Sequence, residues 1–176
     1  MARRGGAIRL GLAFLAGLIF PALVFLLIGV AGLFPVAATE APSQFETSLA
    51  RLFVQRALAR EARSVTVPPA PQGDATLLQG LKAYRRNCAG CHGKYGAPSR
   101  WGTSSFYPRV PQFADEGSRL GPAEMFVAVK HGIRGTGMGA WKVNLPDEEI
   151  WPVVWFLQRL RSLPPEVEQA WKAPPQ

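Results

Sequence analysis

The sequence predicts an all-α protein: a single N-terminal transmembrane helix, then a small domain of three or more helices wrapped around a body that is not protein. Three observations predict it. From Leu10 to Thr39 no residue is charged. Beyond residue 73, three stretches repeat apolar residues at helical spacing, and none alternates as a strand would. Between the first two of these, residues 93–121 read almost entirely as loop, which a compact domain tolerates when the loop encloses something large.

The first element reads "LGLAFLAGLIFPALVFLLIGVAGLFPVAAT". A bilayer core needs about 20 apolar residues in a helix, so the run is long enough to span. Pro21 and the glycines are tolerated better in a membrane helix than in a soluble one. Arg3, Arg4 and Arg9 make residues 1–9 a basic, cytoplasmic N-terminus, and residues 10–38 a signal-anchor that exports the rest of the chain. A signal peptide cleaved at Val36-Ala37-Ala38 is the alternative, although its apolar core is typically only about 7–15 residues. Both readings place the remaining chain on the periplasmic side of a bacterial cytoplasmic membrane.

Residues 39–72 read as a spacer helix and a linker. Ser43 and Glu46 have capping-box spacing, opening a helix to Arg63 with Phe45, Leu49, Leu52, Phe53 and Ala57 on one stripe. Arg51, Arg60 and Arg63 are assigned to its other face. Such a helix suits a membrane surface, a partner subunit or a plain spacer. "SVTVPPAPQGD" is then semi-rigid and extended. The domain proper covers residues 73–165, with 166–176 as a tail. Asp74 is the expected N-cap of a helix carrying Leu77, Leu78, Leu81 and Tyr84. A second helix runs from Pro122 to His131 and stops at Gly132. A third covers Asp147 to Ser162, its "DEE" start suiting the positive end of the helix dipole.

The chain has only two cysteines and two histidines, and three of these four stand within "NCAGCHG" as Cys88, Cys91 and His92. A disulfide there would close too short a loop to remove much chain entropy. A thiol redox site wants a βαβ context that is missing. Structural zinc would need four ligands, with adjacent Cys91 and His92 strained as two of them. Covalent haem c attachment uses the residues as they stand, two thiols for the vinyl groups and the following imidazole for the iron. In an exported chain the motif points to one haem c. Met125, His131 and Met138 are the candidates for the iron's other face. Met125 lies mid-helix as a core residue would, and His131 closes that helix. Met138 sits in "HGIRGTGMGAW", where glycines let backbone approach a flat macrocycle, and is the favoured ligand.

Four blocks in order resemble the class I c-type cytochromes over about residues 74–163: Gly80 and Tyr84 leading into "NCAGCHG", then "FYPRVPQF", "PAEMFVAVKHGIRGTGMGAW" and "LPDEEIWPVVWFLQRL". The resemblance implies a small cytochrome c fold and His92/Met138 ligation. It also implies a crossing of first and last helices near Gly80 with Phe156 or Trp155. A proline carbonyl should accept the imidazole N–H of His92; Pro108 is the choice, with Pro98 and Pro111 as rivals. Arg109 is a candidate for a haem propionate, and Tyr84 and Trp141 for the haem surroundings. Two departures stand out. Gly139 replaces the proline that usually follows the ligand methionine, which should loosen that loop. Pro152 stands some five residues into the last helix, where it costs about 3 kcal/mol or forces a kink. Trp151 and Trp155 beside it face either a partner or the domain's own core.

The function expected is single-electron transfer between periplasmic or membrane redox partners by a membrane-tethered monohaem cytochrome. No constellation of acid, base or nucleophile suggests catalysis by the chain itself. A fixed subunit of a larger membrane oxidoreductase is the alternative, and a gas sensor or peroxidase using Met138 dissociation a third reading. The formal charge is +8, but residues 73–176 hold 13 Lys/Arg against 9 Asp/Glu. That mild excess suits a partner with an acidic docking face and argues against nucleic acid. Arg85, Arg86 and Lys94, flanking the cysteine motif, are candidates for such docking.

Overall fold

The computed structural model describes residues 2–174, and the side chains of residues 2–8 and of Asp115 lie outside that description. The expected basic contribution of Arg3 and Arg4, and the end of the tail at 175–176, therefore lie outside the described residues. The chain forms two units, residues 1–37 and 38–176.

The first unit is helix α1, Ala2–Val30, whose segment Arg9–Val30 is long and apolar enough to cross a membrane. Pro21 lies inside it. The uncharged run extends to Thr39, but the helix stops earlier for a local reason. Gly32 takes φ +69, Leu33 N–H reaches back to Ile28 O, and Gly32 N–H bonds Gly29 O. This is a glycine-terminated Schellman end, and Pro35 comes soon after it.

The second unit is all helical. Helix α2 is Gln44–Ala62, with the Ser43 side chain accepting from Glu46 N–H at 3.2 Å as the capping box predicts. Helix α3, Asp74–Asn87, starts one residue differently from expectation: Gly73 is the N-cap and Asp74 the first helical residue. A short turn α4, Ala89–His92, comes next. The stretch expected to be loop contains two more single turns, α5 (Arg100–Ser104) and α6 (Phe113–Glu116). Ser99 and Gln112 precede them, and Gly117 ends the second with φ +66. Helix α7 is Pro122–His131, where Gly121 N–H bonds the Glu124 carboxylate at 3.1 Å and Gly132, φ +69, ends the helix. Helix α8 is Asp147–Arg159.

The core lies where α3 crosses α8. Gly80 permits that approach, because a Cβ there would collide with the Pro152 carbonyl and touch Phe156 Cβ at 3.0 Å. Phe156, not Trp155, is thus the aromatic of the crossing. Pro152 is buried inside a continuous helix, its carbonyl turned to this contact. Tyr84, Ile150, Val153, Val154 and Phe156 are essentially solvent-free. Trp151 stacks on Phe126 at 4.4 Å and on Trp155 at 6.1 Å, so these tryptophans pack against their own domain.

The stretch read as a tail instead contains helix α9, Pro165–Lys172. Val167 and Trp171 are buried in the core, and Trp171 meets Tyr84 and Phe156 edge-on at 5.7 and 5.5 Å. Arg85 on α3 donates to the carbonyls of Ala170 (2.6 Å) and Ala173 (2.7 Å), satisfying the end of α9. Arg86 pairs with Glu149 at 3.5 Å. Arg85 is therefore a structural cap and not a free docking charge, which only the unexpected helix makes possible.

Candidate functional site

Helix α3 delivers the cysteine motif, and hydrogen bonds carry the turn through it. Cys88 N–H bonds Tyr84 O at 2.8 Å; Cys91 and His92 N–H both reach Cys88 O, at 3.1 and 2.9 Å. In a helical turn, residues i, i+3 and i+4 share one face, so Cys88, Cys91 and His92 are presented together. Both thiols are free and half-buried. In the unmodified polypeptide, burial and then the neighbouring Cys91 push the Cys88 thiol up to about 12. Burial also lowers the His92 imidazole, against the opposing effect of its hydrogen bond.

That bond runs from His92 Nδ1 to Pro111 O, at 3.0 Å. Pro108, the expected partner, does not make it, and neither does Pro98. The reason lies in the next residue. Gln112 is a buried polar residue, 5% exposed. Its Nε2 donates to Cys91 O (3.1 Å) and Val110 O (2.9 Å), and its Oε1 accepts from Ser99 N–H (2.7 Å). With Gln112 tied to the carbonyl just before His92, its neighbour Pro111 faces the imidazole. Sequence reasoning missed Gln112, whose one available signal was a lone amide side chain between Pro111 and Phe113. Gly102 completes the clasp, since a Cβ there would run into Cys91 O. Ser99 Oγ donates to Gly90 O at 2.6 Å.

Tyr84 is buried, and its hydroxyl donates to Gly93 O at 2.8 Å, immediately beyond His92. Burial holds the phenol well above its ordinary range, with Cys88 adding to this. Phe113 stacks on the imidazole at 4.6 Å.

Met138 is half-buried against the core, in a loop built by its own backbone. Its N–H bonds Thr136 Oγ1 (3.1 Å), and its carbonyl accepts from Ile133 N–H (2.9 Å). Gly132 and Gly137 allow close packing: a Cβ at 132 would sit 2.7 Å from Met138 O, and one at 137 would enter the Phe106 ring. The methionine loop is thereby laid against the long loop beyond the cysteine motif. Trp141 is half-buried on the core, its backbone N–H donating to Val129 O at 3.2 Å. Arg109 Nη1 donates to Ser104 O (2.6 Å) and Phe106 O (3.1 Å), and the guanidinium lies over Tyr107. It braces its own loop. Met125 is a core residue, as expected, and His131 is exposed.

These residues fit a haem. His92, with Nδ1 occupied, keeps Nε2 for a metal; two free thiols stand beside it; a thioether sits in a glycine-lined loop. Asn87 Nδ2, one residue before Cys88, is buried without a partner, a donor that a bound group could satisfy. Among the described residues no three His, Cys, Asp or Glu gather as a bare metal site would require.

A family model described as "Cytochrome C oxidase, cbb3-type, subunit III" matches residues 75–157. No curated protein matches the chain. A solved structure, a reducing HAO-like protein complex of Kuenenia stuttgartiensis, is similar at 22% identity with a TM-score of 0.36. The likeness covers 55% of this chain and about half, 49%, of that one.

Proposed function

We propose that the chain is a membrane-tethered carrier of single electrons, its residues 75–157, which match the family model, forming a cytochrome c domain with one covalently bound haem c. In this reading α1 anchors the protein in a cytoplasmic membrane and the haem domain works on its periplasmic side. The observation that carries the reading is the pair of prepared donors, His92 fixed through Pro111 O and Met138 fixed through Ile133 and Thr136.

The haem supplies a one-electron Fe(III)/Fe(II) couple when bound. Cys88 and Cys91 hold it covalently. The Pro111 carbonyl sets the His92 tautomer and ring orientation and makes Nε2 a better donor, as outer-shell acceptors do for metal-bound histidines. Met138 would present a soft thioether to the iron, which would favour Fe(II) and raise the potential. Tyr84 holds the chain beyond His92, and Gln112 fixes the loop that carries Pro111.

A pyridine haemochrome spectrum and a redox titration of wild type and Met138→Ala test this. One haem c per chain is expected. The variant should lose the weak near-infrared thioether band and titrate at a lower potential. An identical spectrum and potential would remove Met138 from the iron. A second reading, a fixed subunit of a larger membrane oxidoreductase, is favoured by the matched family model, whose name is that of an oxidase subunit. Co-elution with stoichiometric partners from mild detergent supports the subunit, and elution alone supports the free carrier.

A further inference from the structure

Helix α2 has two apolar faces. Val54, Leu58 and Ala62 recur every four residues and pack on Val127 and Ala128 of α7, with Leu58 only 7% exposed. The stripe read from the sequence is the other face. Phe45 (76% exposed), Leu49 (38%), Leu52 (46%) and Phe53 (62%) point away from the domain. At 3.6 residues per turn the same face continues into Arg56, Arg60 and Arg63, all exposed. The arginines thus do not oppose the stripe, as the sequence pattern suggested for Arg60 and Arg63, but extend it. Among the described residues none of the three is ion-paired. Glu46 lies at the edge of this face, and Glu61 is turned toward α7, where it lines a pocket with Val127 and Lys130.

We propose that this face of α2 lies on an anionic lipid surface. An apolar half followed by a cationic half is the composition of an interfacial helix, with Phe and Leu entering the headgroup–acyl boundary and arginines meeting lipid phosphates. Left in water, the stripe would be an association hazard, so it needs a constant covering. A redox partner that departs after each transfer would expose it. Lipid stays. Only residues 31–43 separate α2 from the membrane-length helix in the chain, so a bilayer is the surface always within reach. The consequence is mechanical. One face on lipid and the other on α7 would mount the haem domain in a set orientation, where a free linker would let it swing.

The proposal rests on the proposed tether, and one preparation separates the two. Full-length Phe53→Cys carries a nitroxide, since Cys88 and Cys91 are consumed by haem, and is placed in phosphatidylglycerol nanodiscs. Collision with oxygen should exceed collision with a water-soluble nickel chelate, and the preference should weaken in phosphatidylcholine or with Arg56, Arg60 and Arg63 changed to Gln. A label that stays aqueous in both lipids overturns the surface while leaving the tether intact. Failure of the chain to remain with the nanodisc overturns the tether itself. A label aqueous in pure lipid but shielded in native membranes also overturns the proposal, in favour of a protein partner. Unchanged haem content in each variant shows that the fold is retained.

Discussion

Gln112 shows how much a single side chain can hold. Its amide serves three backbone groups, on Cys91, Ser99 and Val110, and each loses its partner in Gln112→Leu. A buried polar group left unsatisfied costs about 1–3 kcal/mol. The variant should therefore unfold at clearly lower urea than wild type, monitored by the Soret band; an unchanged midpoint would mean that water replaces the amide. Gly139 makes the opposite case. It has φ outside the left-handed region and open space where a Cβ would stand. Gly139→Ala should stabilise by about 0.4–1 kcal/mol through the unfolded chain. With Met138 as the proposed ligand, it should also slow displacement of the thioether by an added ligand such as imidazole, the missing proline being expected to loosen this loop. At this scale the cysteine motif was legible because its chemistry is contiguous. The proline opposite His92 was not. "FYPRVPQF" offers two prolines, and the choice of Pro111 depends on a hydrogen bond from Gln112 to a residue 21 positions earlier.

Helices α2, α3, α7 and α8 were legible from caps and periodicity, since those signals lie within each segment. What was not legible was where two of the faces point. The Phe45 stripe suits a membrane surface, a partner subunit or a spacer, and its pattern does not say that the domain itself packs on Val54 and Leu58, which also recur at helical spacing. Helix α9 was read as tail because its core contribution is two residues, Val167 and Trp171, among charges. Trp171→Ala tests its place in the core. Truncating a buried aromatic costs about 3–5 kcal/mol, so thermal unfolding should fall by many degrees, whereas an appended tail would change little. The α3–α8 crossing carries a second test. Gly80→Ala forces a methyl into the Pro152 carbonyl, and overpacking of this kind costs about 1–3 kcal/mol or more. Reduced stability with normal ligand spectra is expected; haem loss alone would point to a folding defect.

For the molecule as a whole, charge acts at a distance while contacts act locally. The modest positive excess beyond residue 73 should speed electron transfer with an acidic partner at low ionic strength. The rate should decline as salt rises past about 0.1 M, where the Debye length is about 10 Å. A rate indifferent to salt would assign docking to apolar contact. Sequence alone determined the membrane-length apolar run, the all-helical class, the Cys88–Cys91–His92 motif and the glycine-rich methionine loop. Each of those is written in neighbouring residues, so short-range spacing suffices to read it. Tertiary structure alone decided which proline faces His92, what Gln112 and Arg85 hold, that the C-terminal segment joins the core, and which face of α2 is left outward. Those outcomes depend on residues tens of positions apart meeting in space, where burial and hydrogen-bond satisfaction select among options that local pattern leaves equal. The "NCAGCHG" turn was readable before any fold was known; the clasp that orients its histidine had to be seen.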